Sequence, residues 1–173
     1  MDIKLALKIN IILTGFMATG KTTVGKLLAA QLGYEFIDTD ELIEVRQGRS
    51  IADIFLQSGE ATFRRMETDL AEELADHEGL VISTGGGMML NAINVDLLSQ
   101  RGRIFCLVAT PEEILSRLKN DKRHPRPLLE VPNPSERIIK LFRQREKVYQ
   151  RFPQVMTSDK QPAEVAAAIV DLI

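Results

Sequence analysis

A short apolar run, residues 9–14 (Ile-Asn-Ile-Ile-Leu-Thr), leads directly into Gly15-Phe16-Met17-Ala18-Thr19-Gly20-Lys21-Thr22. At Lys21 the pattern turns helical, with Val24, Leu27, Leu28 and Leu32 expected on one face and Gly33 as the stop. A strand that enters a glycine loop and leaves as a helix has few places to go. The strand needs a parallel neighbour, and the helix must cover one face of the resulting sheet.

The rest of the chain continues the alternation. Short, almost wholly apolar runs at residues 34–37, 80–84 and 103–108 read as strands buried on both faces, with a further short strand at 155–157. Helical patterns fall at 41–46, at 51–56 behind Ser50 as N-cap, and at 60–77 with Phe63, Met66, Leu70 and Leu74 as the buried stripe. Others fall at 94–100, at 112–119 behind Pro111, at 135–152, and from Pro162 onward. The expectation is one α/β domain over residues 1–173 with a parallel sheet. No internal repeat or interdomain linker interrupts it.

Charge and composition narrow the classes. Lys and Arg number 22 against 24 Asp and Glu, a net charge of −2, so no global basic field recruits nucleic acid. No run approaches 18 apolar residues, and residues 1–10 lack a signal-peptide core, so membrane partners are not expected and the expected location is the cytoplasm. Cys106 is the single cysteine, inside an apolar run, and reads as a buried small hydrophobe.

Residues 15–22 match G-x-x-x-x-G-K-[ST]. Backbone N–H groups of Gly15, Ala18, Thr19 and Gly20 are placed to face phosphate oxygens, and the helix start at Lys21, Thr22 and Thr23 adds its positive end. Lys21 is placed for the β and γ phosphates and Thr22 for Mg2+. The loop alone does not name a reaction. A guanine-reading N-K-x-D motif is absent, and no acid ends either of the strands at 80–84 and 103–108. The nearest acid is Asp38, a candidate for the magnesium shell. Asp40 lies two residues on. An extended Asp38-Thr39-Asp40 would put both carboxylates on one side, free to serve a metal and an acceptor hydroxyl; alternatively Asp40 caps the next helix.

Other residues are open in the same way. Gly85-Gly86-Gly87 allows close backbone approach to a ligand, or is a flexible turn. Arg64 precedes Glu67 by three helical positions, as a held guanidinium or a surface pair. The proline-rich basic stretch 120–134, with Lys122, Arg123, His124 and Arg126, taken with Arg117 and Lys119 just before it, suits a phosphate-covering lid or a solvated loop. Arg145 is a ligand or part of a charged helix face.

Taken in order, the phosphate loop, Phe36-Ile37-Asp38-Thr39-Asp40, Gly59-Glu60 through Phe63-Arg64-Arg65-Met66-Glu67, Gly85-Gly86-Gly87, Arg126-Pro127-Leu128-Leu129, and Arg145 four before Tyr149 resemble the shikimate kinase family. The resemblance implies a three-layer P-loop kinase fold related to nucleoside monophosphate kinases. Its five-stranded parallel sheet is flanked by helices, with a helical substrate-binding subdomain at about 41–70 and a mobile lid at about 120–134. It implies transfer of the γ-phosphoryl group of ATP to the 3-hydroxyl of shikimate, with Mg2+, by a monomer. Lys21, Asp40 and Arg126 would be catalytic, and Arg126 would also touch the nucleotide. Asp40, Arg64, Arg145, Gly85, Gly86 and Gly87 would bind shikimate, with Phe55 and Phe63 shaping its wall, while Thr22 and Asp38 would serve the metal. The adenine-side loop before Pro162 looks shorter than in some members. A kinase for another hydroxylated acid such as gluconate, a nucleotide-binding regulator without catalysis, and a nucleic-acid-handling ATPase are the competing readings.

Overall fold

The computed structural model describes residues 8–120 and 133–173. Five strands form one sheet: β1 (Asn10–Thr14), β2 (Glu35–Asp38), β3 (Leu80–Ser83), β4 (Gly102–Val108) and β5 (Gln154–Met156). Their order is β2-β3-β1-β4-β5 and every pairing is parallel. Around them run α1 (Lys21–Leu32), α2 (Thr39–Gln47), α3 (Ile51–Ser58), α4 (Glu60–Ala75), α5 (Ala92–Ser99), α6 (Pro111–Asn120), α7 (Pro134–Tyr149) and α8 (Pro162–Val170).

Side chains alternate across β1, which lies at the centre of the sheet, and both faces are apolar. Ile11 and Leu13 enter a core with Val24, Leu28 and Ala29 of α1 and Val165, Ala166 and Ile169 of α8. Ile12 enters the opposite core with Phe63, Leu70 and Leu74 of α4, Leu98 of α5, Ile114 of α6 and Ile138 of α7. Helices therefore cover both faces, giving the three layers the family resemblance implies. No helix among the described residues is long and apolar enough to cross a membrane.

Two stripes differ from expectation. On α1, Leu27 is 38% exposed, and Gly25 and Ala29 are buried in its place. A Cβ on Gly25 would come within 2.5 Å of the Phe36 ring, so the helix lies too close to β2 for a larger side chain there. On α4, Met66 is only partly buried, whereas Glu67 is 1% exposed and lies one turn from Phe63 on the buried side.

Parallel strands share their C-terminal ends, and β1 is flanked by β3 and β4, where chain connections leave in opposite directions. Ligands of open α/β sheets bind at such a switch point. The loops after β1, β2 and β3 all open there: the phosphate loop, the start of α2 and the glycine triplet.

Candidate active site

The donor end is built mainly from backbone. Gly15 has φ +133° and its absent Cβ would fall on the Leu107 carbonyl oxygen, so only glycine lets the chain leave β1 along the sheet edge. Ala18 takes a left-handed conformation at φ 59°. The Thr19 hydroxyl donates to Phe16 O at 2.8 Å and holds the loop closed from inside. Gly20 caps α1 with no side-chain acceptor, so the first N–H groups of that helix keep their positive field for an anion. Lys21 arches over the loop, its Nζ donating to Gly15 O at 3.0 Å and Phe16 O at 2.9 Å. Thr23, third in α1, is exposed.

Thr22 and Asp38 meet, with Thr22 Oγ1 donating to Asp38 Oδ2 at 2.9 Å. The other carboxylate oxygen, Oδ1, accepts from Asp40 N and Glu41 N and caps α2. Both alternatives for residues 38–40 are thereby corrected. The backbone does not stay extended, because α2 begins at Thr39, and the cap is Asp38 rather than Asp40. Asp38 joins two functions: one oxygen fixes the helix start and the other aims at Thr22. A hydroxyl and a carboxylate oxygen side by side are hard donors of the kind Mg2+ takes when phosphates and water complete its shell. The residues fit that ion. Among the described residues no cluster of three or more His, Cys, Asp or Glu is placed to hold a metal ion.

At the acceptor end, three side chains meet the glycine triplet, one glycine each. A Cβ on Gly85 would fall on Asp40 Oδ1, one on Gly86 would lie 3.2 Å from Arg145 NH1, and one on Gly87 would lie 2.5 Å from Arg64 NH1. Each position of the triplet is thus packed closely against a side chain. Its position is fixed by Gly85 N donating to Thr39 Oγ1 at 3.0 Å, and by Gly86 O accepting from Arg145 NH1 at 3.1 Å and from the Tyr149 hydroxyl. Asp40 comes from α2, Arg64 from α4 and Arg145 from α7.

Burial sets the electrostatics. Asp40 is pushed up to about 6, first by desolvation, then by the negative charges of Asp38 and Glu67, with Lys21 opposing. Its Oδ1 has no partner among the described residues, nor does Oε1 of Glu67. The second oxygen of Glu67 accepts from Arg64 NH1 at 2.7 Å, and Glu60 takes Arg64 NH2 at 3.0 Å. Burial raises the Glu67 pKa while Arg64 opposes the rise. The Arg64–Glu67 pair is therefore no ordinary surface pair: its carboxylate is inside the protein. The Arg64 guanidinium also lies 5.4 Å from the Phe63 ring, which packs 5.1 Å from Phe55.

Sequence reasoning grouped Arg117 with the basic stretch after α6. In the fold it is a tie instead, donating through NH1 to Ala18 O at 3.0 Å and through NH2 to Thr157 O at 3.1 Å. It links the phosphate loop to the end of β5. Spacing gave no sign of this, since 99 residues separate Arg117 from Ala18. Arg126 and nearly all of the stretch 120–134 lie outside the described residues. Cys106 is buried and its thiol is pushed up to about 11 by burial, as an inert core residue should be.

Known proteins resemble the chain over nearly its whole length. The family model described as shikimate kinase matches residues 17–173. A shikimate kinase of Thermoanaerobacter pseudethanolicus is 44% identical over 169 residues, covering 94% of this chain and 97% of the relative. The solved shikimate kinase from Acinetobacter baumannii in complex with shikimate superposes with a TM-score of 0.86 at 39% identity, covering 95% of this chain and 92% of that one. A gluconokinase from Sinorhizobium meliloti, at 17% identity and TM-score 0.58 over 96% of this chain and 94% of its own, shares the fold alone. With its two-ended cleft and these likenesses spanning nearly its whole length, the chain belongs to the shikimate kinase family.

Proposed function

We propose that the cleft carries out the family's reaction through the residues assembled at its two ends. The chain transfers the γ-phosphoryl group of ATP to the 3-hydroxyl of shikimate. The observation that carries this reading is the convergence of one acid and two arginines on three consecutive glycines, beside a phosphate loop. That pattern suits an acceptor with hydroxyls at one end and a carboxylate at the other.

In this reading Arg64 and Arg145 hold the acceptor carboxylate, since guanidinium forks match its geometry. Asp40, at the other end of the triplet, accepts the hydrogen bond of the attacking hydroxyl. As the new oxygen–phosphorus bond forms and the bond to the ADP oxygen breaks, the hydroxyl proton passes to Asp40. Its raised pKa suits it to that proton while leaving it ionised near neutral pH. The phosphate loop and Lys21 hold the triphosphate, and the residues assigned to nucleotide contact are Gly15, Ala18, Thr19, Gly20, Lys21, Thr22 and Thr23. Thr22 and Asp38 would hold Mg2+, which would supply charge neutralisation on the phosphates. Residues 41–70, which hold α3 and most of α2 and α4, form the substrate-binding subdomain. One chain supplies both ends, so a monomer suffices, and the cytoplasm is the site of action.

Coupled detection of ADP release with shikimate and gluconate offered separately tests the reading. The expected result is turnover of shikimate. Turnover of gluconate with none of shikimate would overturn it.

A further inference from the structure

Tyr149 is buried, at 4% exposure, and its hydroxyl donates to the carbonyl oxygen of Gly86, 63 residues away. The same oxygen accepts from Arg145 NH1 at 3.1 Å. Arg145 and Tyr149 stand one helical turn apart on α7, so their side chains share a face and reach the same acceptor. Burial raises the phenol's pKa, and the group stays a protonated donor.

The two donors are not equivalent. In the proposed reaction Arg145 turns toward the substrate carboxylate, and its hold on Gly86 O is then shared or lost. Tyr149 has no such second task. The other fixed points of the turn leave this peptide unrestrained: Gly85 N is held by Thr39, Gly85 O by Met88 N, and Gly87 O by Leu90 N. Among the described residues only α7 holds Gly86 O. A trans peptide plane points its C=O and the following N–H in opposite directions, so the direction of Gly86 O dictates that of Gly87 N–H. Among the described residues neither Gly86 N–H nor Gly87 N–H has a protein acceptor.

We infer that Tyr149 is a positioning residue for the acceptor site: its hydroxyl holds the Gly86–Gly87 peptide in place, so that the Gly87 N–H keeps its direction while Arg145 moves to the substrate carboxylate. This rests on the proposed function, and the unaltered protein's turnover of shikimate is the control that separates failure of that reading from failure of this one.

The test is Tyr149→Phe, which removes one oxygen and keeps the ring. KM for shikimate is expected to rise about 10-fold, with KM for ATP changed by less than about 2-fold, as for a lost contact on one substrate only. Glycine-selective 15N spectra give a second readout, since the chain has only 11 glycines. Without substrate, the Gly86 and Gly87 amide signals are expected to move in Tyr149→Phe while those of Gly15 and Gly20 stay. An unchanged KM for shikimate, an equal rise in both KM values, or unmoved Gly86 and Gly87 signals would overturn the inference. Should the variant fold poorly, the unaltered protein decides. Adding shikimate should shift the Arg145 side-chain signals and leave the Tyr149 ring 13C signals near their free positions, and a large shift of the Tyr149 ring signals would count against Tyr149 as the anchor.

Discussion

The two ends of the cleft are built by opposite means. The donor end is one continuous stretch, residues 15–23, and in the proposed reaction it works through backbone N–H groups, a helix start and one lysine. The acceptor end draws on four separate segments, and in the proposed reaction its specificity lies in charged side chains from α2, α4 and α7 around the triplet. A triphosphate presents the same oxygens to every enzyme that uses it, so a local backbone cradle serves. Acceptors differ, and discriminating among them takes charges whose spacing is set by the tertiary fold. Damage at the acceptor end should therefore leave nucleotide handling intact.

Asp40→Asn gives the largest separation. kcat should fall about 10^3-fold with KM for ATP nearly unchanged. Stability should move the other way. The pKa of Asp40 lies above its ordinary 3.8, at about 6, so the fold favours the protonated form. Its contribution is fully present below 3.8 and is lost as pH rises through about 6. Asparagine cannot ionise, so the variant should gain about 2 kcal/mol at pH 8, seen as a Tm about 5 °C higher, with the gain shrinking toward pH 5. A Tm difference that does not depend on pH would break this account. In the parent, kcat/KM for shikimate should rise with pH to a plateau above about 6.

Arg64→Ala comes next. KM for shikimate should rise about 100-fold, against about 2-fold for ATP. Glu67 would be left buried without its guanidinium, so Tm should also drop. Adding Glu67→Gln should recover much of the Tm and none of the KM. Recovery of KM would mean that the arginine acts through the carboxylate rather than on the substrate. Gly87→Ala is the smallest test: its methyl would press on Arg64 NH1 and raise KM for shikimate about 10-fold, with ATP again indifferent. Equal effects on both substrates would erase the distinction between the two ends.

The same contrast explains what could be read from the chain. The donor end was legible because motif, strand and helix are neighbours in sequence. Element order and the parallel sheet were legible because apolar runs and helical stripes are local patterns. Asp40, Arg64, Arg145 and the triplet could be singled out from residues, but their meeting could not, since it depends on how α4 and α7 pack. Leu27 was misplaced because the close approach of α1 to Phe36 admits only a glycine at residue 25. Glu67 was read as a pairing residue without its burial, because a glutamate in an apolar stripe looks like an interruption. The turn into α2 at Thr39 leaves no local sign, because Asp38 is itself extended and its capping of Asp40 N and Glu41 N depends on where α2 begins. Arg117 was grouped with its charged neighbours, although its partners lie on other segments.

Two buried carboxylate oxygens, Asp40 Oδ1 and Glu67 Oε1, lack a hydrogen-bond partner among the described residues. In the unfolded chain both would be hydrated, so leaving either unpaired on folding has a cost. A small molecule that donates hydrogen bonds to either oxygen, and has no affinity for the unfolded chain, deepens the native well by mass action. The persistence of this protein against proteases should thus follow the supply of its acceptor, making its abundance a gauge of the metabolite it consumes.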